Sequence, residues 1–183
     1  RGYWERLETG ELTREQVMLG RFHEFFESEG LPTDQVKVFN DEYQIRLGDK
    51  AFFCDHGDEL VKQLKATVKQ YAVTNGTTVA QERKLRFSGL DQLLDGVFIS
   101  EQVGVDKPQK AFFDAVWNEI GSYAPDEVVI VGDSLTSDIR GGKNAGILTC
   151  WYNPDHLPNK IEVTPDCTID NLQDILSYLD ESR

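Results

Sequence analysis

The 183-residue sequence predicts an α/β fold, a Rossmann-like parallel sheet with helices on both faces, accompanied by a small α-helical subdomain. Three observations carry that expectation. From Cys54 onward, short apolar runs alternate with helical patterns; before Cys54 only helical patterns occur; and the polar residues best suited to chemistry stand just after the apolar runs. The resulting division is a helical subdomain over residues 1–53 and a sheet-containing core over 54–183.

In the first segment, Thr13-Arg14-Glu15-Gln16 has the form of a capping box, a hydroxyl at the cap and an amide side chain three residues on, and opens an apolar series Val17, Phe22, Phe25, Phe26 that runs to Gly30. A second helix fits Asp34 to Leu47, with Val36, Phe39, Tyr43 and Leu47 spaced by three and four and Gly48 closing it. Two such helices joined by a short loop form an antiparallel pair. In the second segment a helix near Asp58 to Lys65 leads to "TVKQYAVT" at 67–74, a strand. Helices near Val79 to Phe87, Gln109 to Gly121 and Ser137 to Asn144 are followed by the strands "GVFIS" at 96–100, "EVVIVG" at 127–132 and "ILTCWY" at 147–152. This βαβα rhythm makes the sheet parallel. A last helix, Leu172 to Leu179, is expected to pack on it.

Composition narrows the function. A net charge of −13 repels polyanions, so a nucleic-acid polymer is not expected as a partner, whereas a small phosphorylated metabolite is compatible if a local cation outweighs the global field. No apolar run approaches the length of a membrane span and no leader pattern opens the chain, so the expectation is a cytoplasmic protein with no membrane partner, a monomer or homodimer. Cys54, Cys150 and Cys167 are odd in number and scattered, which argues for reduced thiols; Cys54 and His56 lack a second pair of ligands for a zinc site.

In an open parallel sheet, ligands bind beyond the carboxyl ends of the strands. Those ends carry Thr74-Asn75-Gly76, then Val105-Asp106-Lys107-Pro108, then Gly132-Asp133-Ser134 with Asp138 five residues beyond Asp133. A hydroxyl with the backbone N–H groups after it can donate to phosphoryl oxygens, an ammonium can neutralise charge that develops in transfer, and paired carboxylates suit Mg²⁺. Gly76 and Gly132 are expected to let the backbone turn sharply beside the ligand.

This ordered set resembles the haloacid dehalogenase superfamily of phosphohydrolases. "YAVTNGT", "VGVDKPQKAFF" and "IVGDSLTSDIRGG" look like its second, third and fourth motifs, and "GGKNAGILTCWYNP" is similar to its pyrimidine 5′-nucleotidase-like branch, which carries a helical cap between its first strand and the next helix. The resemblance implies that Thr74, Asn75, Gly76 and Lys107 bind the phosphoryl group, with Thr74 and Lys107 also catalytic, and that Asp133 and Asp138 serve a Mg²⁺ ion, Asp138 directly or through hydrogen bonds. It implies a phosphatase of nucleoside 5′-monophosphates working through an aspartyl-phosphate, with residues 1–53 as the cap that chooses the substrate. Trp4, Phe22, Phe25 and Phe26 could stack on a base there, although rings at helical spacing also serve packing. A sugar-phosphate phosphatase, or an inactive binding protein on the same scaffold, is the alternative.

The family's first motif, an apolar strand ending in Asp-x-Asp that supplies the nucleophile, has no match here, and the sequence opens at Arg1 within a helical pattern. The natural protein is therefore expected to be longer at its N-terminus, with the absent strand central in the sheet, and residues 1–183 alone to be nearly inactive, since phosphomonoester hydrolysis needs accelerations up to ~10²¹. "GDSL" at 132–135 also spells a serine-esterase signature, but no Asp stands three residues before His23, His56 or His156 to activate a base. A phosphoacceptor signalling domain would place its acids before the Thr and Lys, the reverse of the order here.

Overall fold

The computed structural model describes residues 2–121 and 123–181. Three helices come first: α1 (Gly2–Glu8), α2 (Arg14–Ser28) and α3 (Val36–Gly48). The capping box forms as the sequence predicts, Thr13 Oγ1 accepting from Gln16 N at 3.2 Å while Gln16 Oε1 accepts from Thr13 N at 2.8 Å. α2 and α3 pack through rings, Phe22 against Phe39 and Tyr43, each pair with centroids 5.0 Å apart, and Phe26 against Phe39 at 5.2 Å. Phe25, expected in that apolar series, is half exposed.

The expected inner stripe of α3 is only partly realised. Its buried residues are Val36, Asn40, Gln44 and Gly48, while Phe39 and Leu47 stay largely exposed. The reason is that α3 serves two partners. Its aromatic face meets α2, and the straight stripe spaced by four meets α5 (Thr78–Ser88), the helix after the first strand. Gln44 accepts from Thr77 Oγ1 at 2.9 Å, and a Cβ on Gly48 would stand 2.6 Å from Arg83 Cβ, so a small residue is required for this close approach.

α4 (Gly57–Leu64) leads into the strands β1 (Tyr71–Thr74), β2 (Gly96–Ile99), β3 (Val129–Gly132), β4 (Leu148–Tyr152) and β5 (Cys167–Ile169), all paired in parallel. The strand expected over 67–74 is shortened because Thr67 N and Val68 N donate to Leu64 O and close the preceding helix. β5 was not signalled by any apolar run. Between β2 and β3 lie α6 (Ser100–Val103), which takes the Ser100 expected to end β2, and α7 (Lys110–Ile120); α8 (Arg140–Ala145) follows β3 after a wide π-helical turn over Leu135–Ile139, and α9 (Ile175–Glu181) ends the described chain.

Among the described residues the strands form two ladders, β1–β2 and β3–β4–β5, and no strand precedes β1. Helices cover both faces. On one, Phe112, Phe113 and Val116 of α7 pack on Ile130 and Ile147, and on the other Leu60 of α4 and Ile175 of α9 pack on Cys150 and Ile169. Two of the three scattered cysteines meet in space: Cys150 and Cys167 are register partners on β4 and β5 with Sγ atoms 2.6 Å apart, and burial pushes the Cys150 thiol well above its ordinary range, while Cys54 is exposed elsewhere. No helix among the described residues is long and apolar enough to cross a membrane.

Candidate active site

The carboxyl ends of β1 and β3 face each other across a cavity of about 440 Å³ lined by Thr74, Asn75, Lys107, Asp133 and Asp138. Five of the six residues expected at the site thus meet there. Gly76 does not. Its N–H donates to Ser100 Oγ at 3.2 Å and its carbonyl accepts from Arg14 at 2.9 Å, so its backbone is spent on the neighbouring loop.

Lys107 is the hub, only 4% exposed. Its Nζ donates to Val73 O at 2.8 Å and to Asp138 Oδ1 at 2.5 Å, so one side chain joins β1 to the segment after β3. An ammonium carries three donors, of which these bonds use two. Its backbone is held equally firmly: Asn75 Oδ1 accepts from Lys107 N at 2.9 Å and Asn75 Nδ2 donates to Lys107 O at 2.9 Å. The Lys107–Pro108 peptide is cis. Asn75 therefore ties Lys107 in place from both ends of its amide, while one N–H of that amide is not used by these bonds.

Asp138 spends both carboxylate oxygens inside the protein, Oδ1 on Lys107 and Oδ2 on Ser134 N at 3.1 Å. Gly132 makes this possible. A Cβ there would lie 2.4 Å from Asp138 Cγ, and Gly132 is not among the glycines with positive φ, so it provides room for a carboxylate and not the sharp turn expected of it. Asp133 differs. Its carbonyl accepts from Trp151 Nε1 at 3.1 Å, which fixes the backbone, while its side chain is exposed, and among the described residues nothing donates to its carboxylate. A hard cation such as Mg²⁺ is held by one or two carboxylates together with water and phosphate oxygens. The oxygen-only donor set at this cavity, with Asp133 free and Asp138 anchored behind it, fits that habit; among the described residues no three His, Cys, Asp or Glu side chains gather into a fuller cage.

Ser134 is the cap of the turn that follows β3, its Oγ accepting from Ser137 N at 3.2 Å and lying 3.1 Å from Thr136 Oγ1. The three histidines are exposed on other elements beside Glu27, Glu59 and Asp170. The serine-esterase arrangement is thus absent among the described residues.

Two residues tie the first helices to the core at or beside the site without any signal in the sequence. Arg14, at the start of α2, donates to Gly76 O, Ser100 Oγ and the Asp106 carboxylate, clamping α2 to the loops after β1 and β2. Glu8, at the end of α1, accepts from Thr136 Oγ1 and lines the cavity. Burial raises its carboxyl above the ordinary range; hydrogen bonds from Thr136 and Ser137 oppose that and the Asp138 charge adds to it. Isolated charges at helix ends carry no pattern by which they could be picked out beforehand.

Residues 2–146 match the family model of the haloacid dehalogenase-like hydrolases. The HAD-hydrolase YfnB of Bacillus subtilis is 35% identical over 178 residues, covering 97% of this chain and 75% of its own. Its magnesium-bound crystal structure superposes with a TM-score of 0.91 over 98% of this chain and 78% of that one. The pyrimidine 5′-nucleotidase PynA of Streptococcus pneumoniae is 34% identical, over 98% of this chain and 76% of its own, and the pyrimidine 5′-nucleotidase YjjG of Escherichia coli 31%, over 96% and 77%.

Proposed function

The chain belongs to the haloacid dehalogenase-like hydrolases and is a phosphoric monoester hydrolase, and from that premise we propose that it releases phosphate from nucleoside 5′-monophosphates with Mg²⁺ as cofactor. The observation that carries this reading is the convergence of a hydroxyl, an ammonium and two carboxylates on one cavity at the ends of β1 and β3. Two relatives named as pyrimidine 5′-nucleotidases support the nucleotide, and the magnesium-bound relative supports the metal.

In this reading Thr74 Oγ1 donates to one phosphoryl oxygen and the third Nζ donor of Lys107 to another, so that two fixed groups orient the phosphorus and offset the charge that grows on its oxygens. Asp133 supplies a carboxylate for Mg²⁺, which when bound neutralises phosphoryl charge. Asp138 acts one step back, holding Lys107 in place and fixing the turn at Ser134. Residues 1–53 form the cap, with Arg14 and Glu8 closing it onto the core.

The test is Mg²⁺-dependent phosphate release from a panel of nucleoside 5′-monophosphates and sugar phosphates, measured on residues 1–183 and on the same chain preceded by an apolar strand ending in Asp-x-Asp. Release is expected from the extended chain, strongest with nucleotides, nearly lost in Asp133→Asn and largely kept in Ser134→Ala. Failure of every panel member in both proteins overturns the reading.

A further inference from the structure

A second cavity, about 580 Å³, opens beside the first and shares Trp4, Glu8, Asp133 and Ser134 with it. For a phosphomonoester held by Thr74 and Lys107, this second cavity is adjoining space into which an ester substituent would fit. That volume lies in the range of small-molecule sites, roughly 300–1,000 Å³.

The walls state what kind of group fits. Trp4, Trp151 and Tyr152 bring three aromatic rings, and Pro154 and Leu157 add apolar surface, with Leu157 left 43% exposed. The polar tips of two rings are already engaged: the Trp151 indole N–H donates to Asp133 O, and Tyr152 Oη donates to Asp55 Oδ2 at 2.8 Å. With Trp151 only 7% exposed, the ring surface open to a ligand comes chiefly from Trp4 and Tyr152. A sugar ring is small and puckered and sets only a limited C–H face against them, whereas a heterocyclic base offers a larger, flat π surface, and base–aromatic stacking tolerates every base. Lys160 at the rim supplies a donor for the carbonyl edge of such a ring. Of the three rings Trp4 alone belongs to both cavities and comes from α1, so it stands between the phosphate position and the rest of the ligand.

We propose that the second cavity is the base site of a nucleoside 5′-monophosphate, with Trp4 as the residue on which the base stacks and by which nucleotides are distinguished from sugar phosphates. The proposal rests on the phosphatase reading of the first cavity, and the experiment separates the two. Binding of uridine 5′-monophosphate, ribose 5-phosphate and inorganic phosphate to the chain is measured by titration calorimetry with Mg²⁺ present. The nucleotide is expected to bind about tenfold tighter than ribose 5-phosphate, the scale of one base–aromatic stack. Trp4→Ala is expected to erase that margin and Trp4→Phe to keep most of it; ribose 5-phosphate serves as the internal check that the protein is folded. Equal affinity for nucleotide and sugar phosphate in the unaltered protein, or an equal loss for both in Trp4→Ala with no rescue in Trp4→Phe, overturns the base site and leaves the phosphate site standing. No binding of any of the three ligands overturns both.

Discussion

The cavity has two unlike walls. The strand-end wall is built from buried, mutually bonded groups, with Lys107 and Asp138 at 4% and 8% exposure and each committed to at least two partners. The helical wall is α1, which buries no residue at all and reaches the site through Trp4 and Glu8, both only partly covered. The difference separates two tasks. Charge chemistry needs groups already in place and shielded from water, while selection among substrates needs a surface that the ligand itself completes. Substitutions on the first wall should therefore disturb folding and binding together, and those on the second should disturb binding alone.

The strongest way to break that contrast is Lys107→Met. It leaves the buried Asp138 carboxyl without its cationic partner, and a loss of about 3–5 kcal/mol in chemical denaturation is expected. A loss below about 1 kcal/mol would make the strand-end wall as superficial as the helical one. Next comes Gly132→Ala. Its methyl group meets the Asp138 carboxylate, which is pinned by Lys107 and Ser134 and cannot step aside, so about 1–3 kcal/mol of stability is expected to go, together with phosphate affinity. Thr13→Ala removes one capping bond from α2 and should cost about 1 kcal/mol while leaving phosphate affinity near its original value.

The smallest expected effect is the most specific to the helical wall. Burial raises the Glu8 carboxyl, so the folded state favours its neutral form: the contribution to stability is present below the ordinary carboxylate range and is lost as pH rises through the raised value. Glu8→Gln keeps an oxygen that can accept from Thr136 and removes the charge. Its thermal midpoint should match that of the unaltered protein near pH 4 and exceed it slightly at pH 7. An unchanged difference across that range would mean that Glu8 is solvated.

How much of this could be read beforehand follows from the range of each signal. The βαβα rhythm, the strand ends bearing Thr74 and Asp133, and Lys107 in the segment that follows β2 and α6 were legible because apolar period and strand order are local properties of the chain. β5 was not, since Cys167-Thr168-Ile169 is too short to show a period and owes its pairing to β4. The second face of α3 was not legible: its rings pack on α2 while a largely polar stripe faces α5, and periodicity cannot say which neighbour a stripe will meet. The orientation of the Gly76 backbone and the reach of Arg14 and Glu8 depend on residues far along the chain, where sequence pattern is silent.

That distance also orders events in time. Lys107 meets Val73 and Asp138 across 34 and 31 residues, whereas Arg14 meets Asp106 across 92 and Glu8 meets Thr136 across 128. Longer loops cost more entropy to close and are rewarded later, so the strand-end wall assembles early in folding and the helical wall docks last. In the folded protein the sequence runs backwards. The contacts of α1, with no buried residue behind them, are the first to open in native-state fluctuations, so hydrogen exchange should be fastest along Gly2–Glu8 and slowest along β3 and β4.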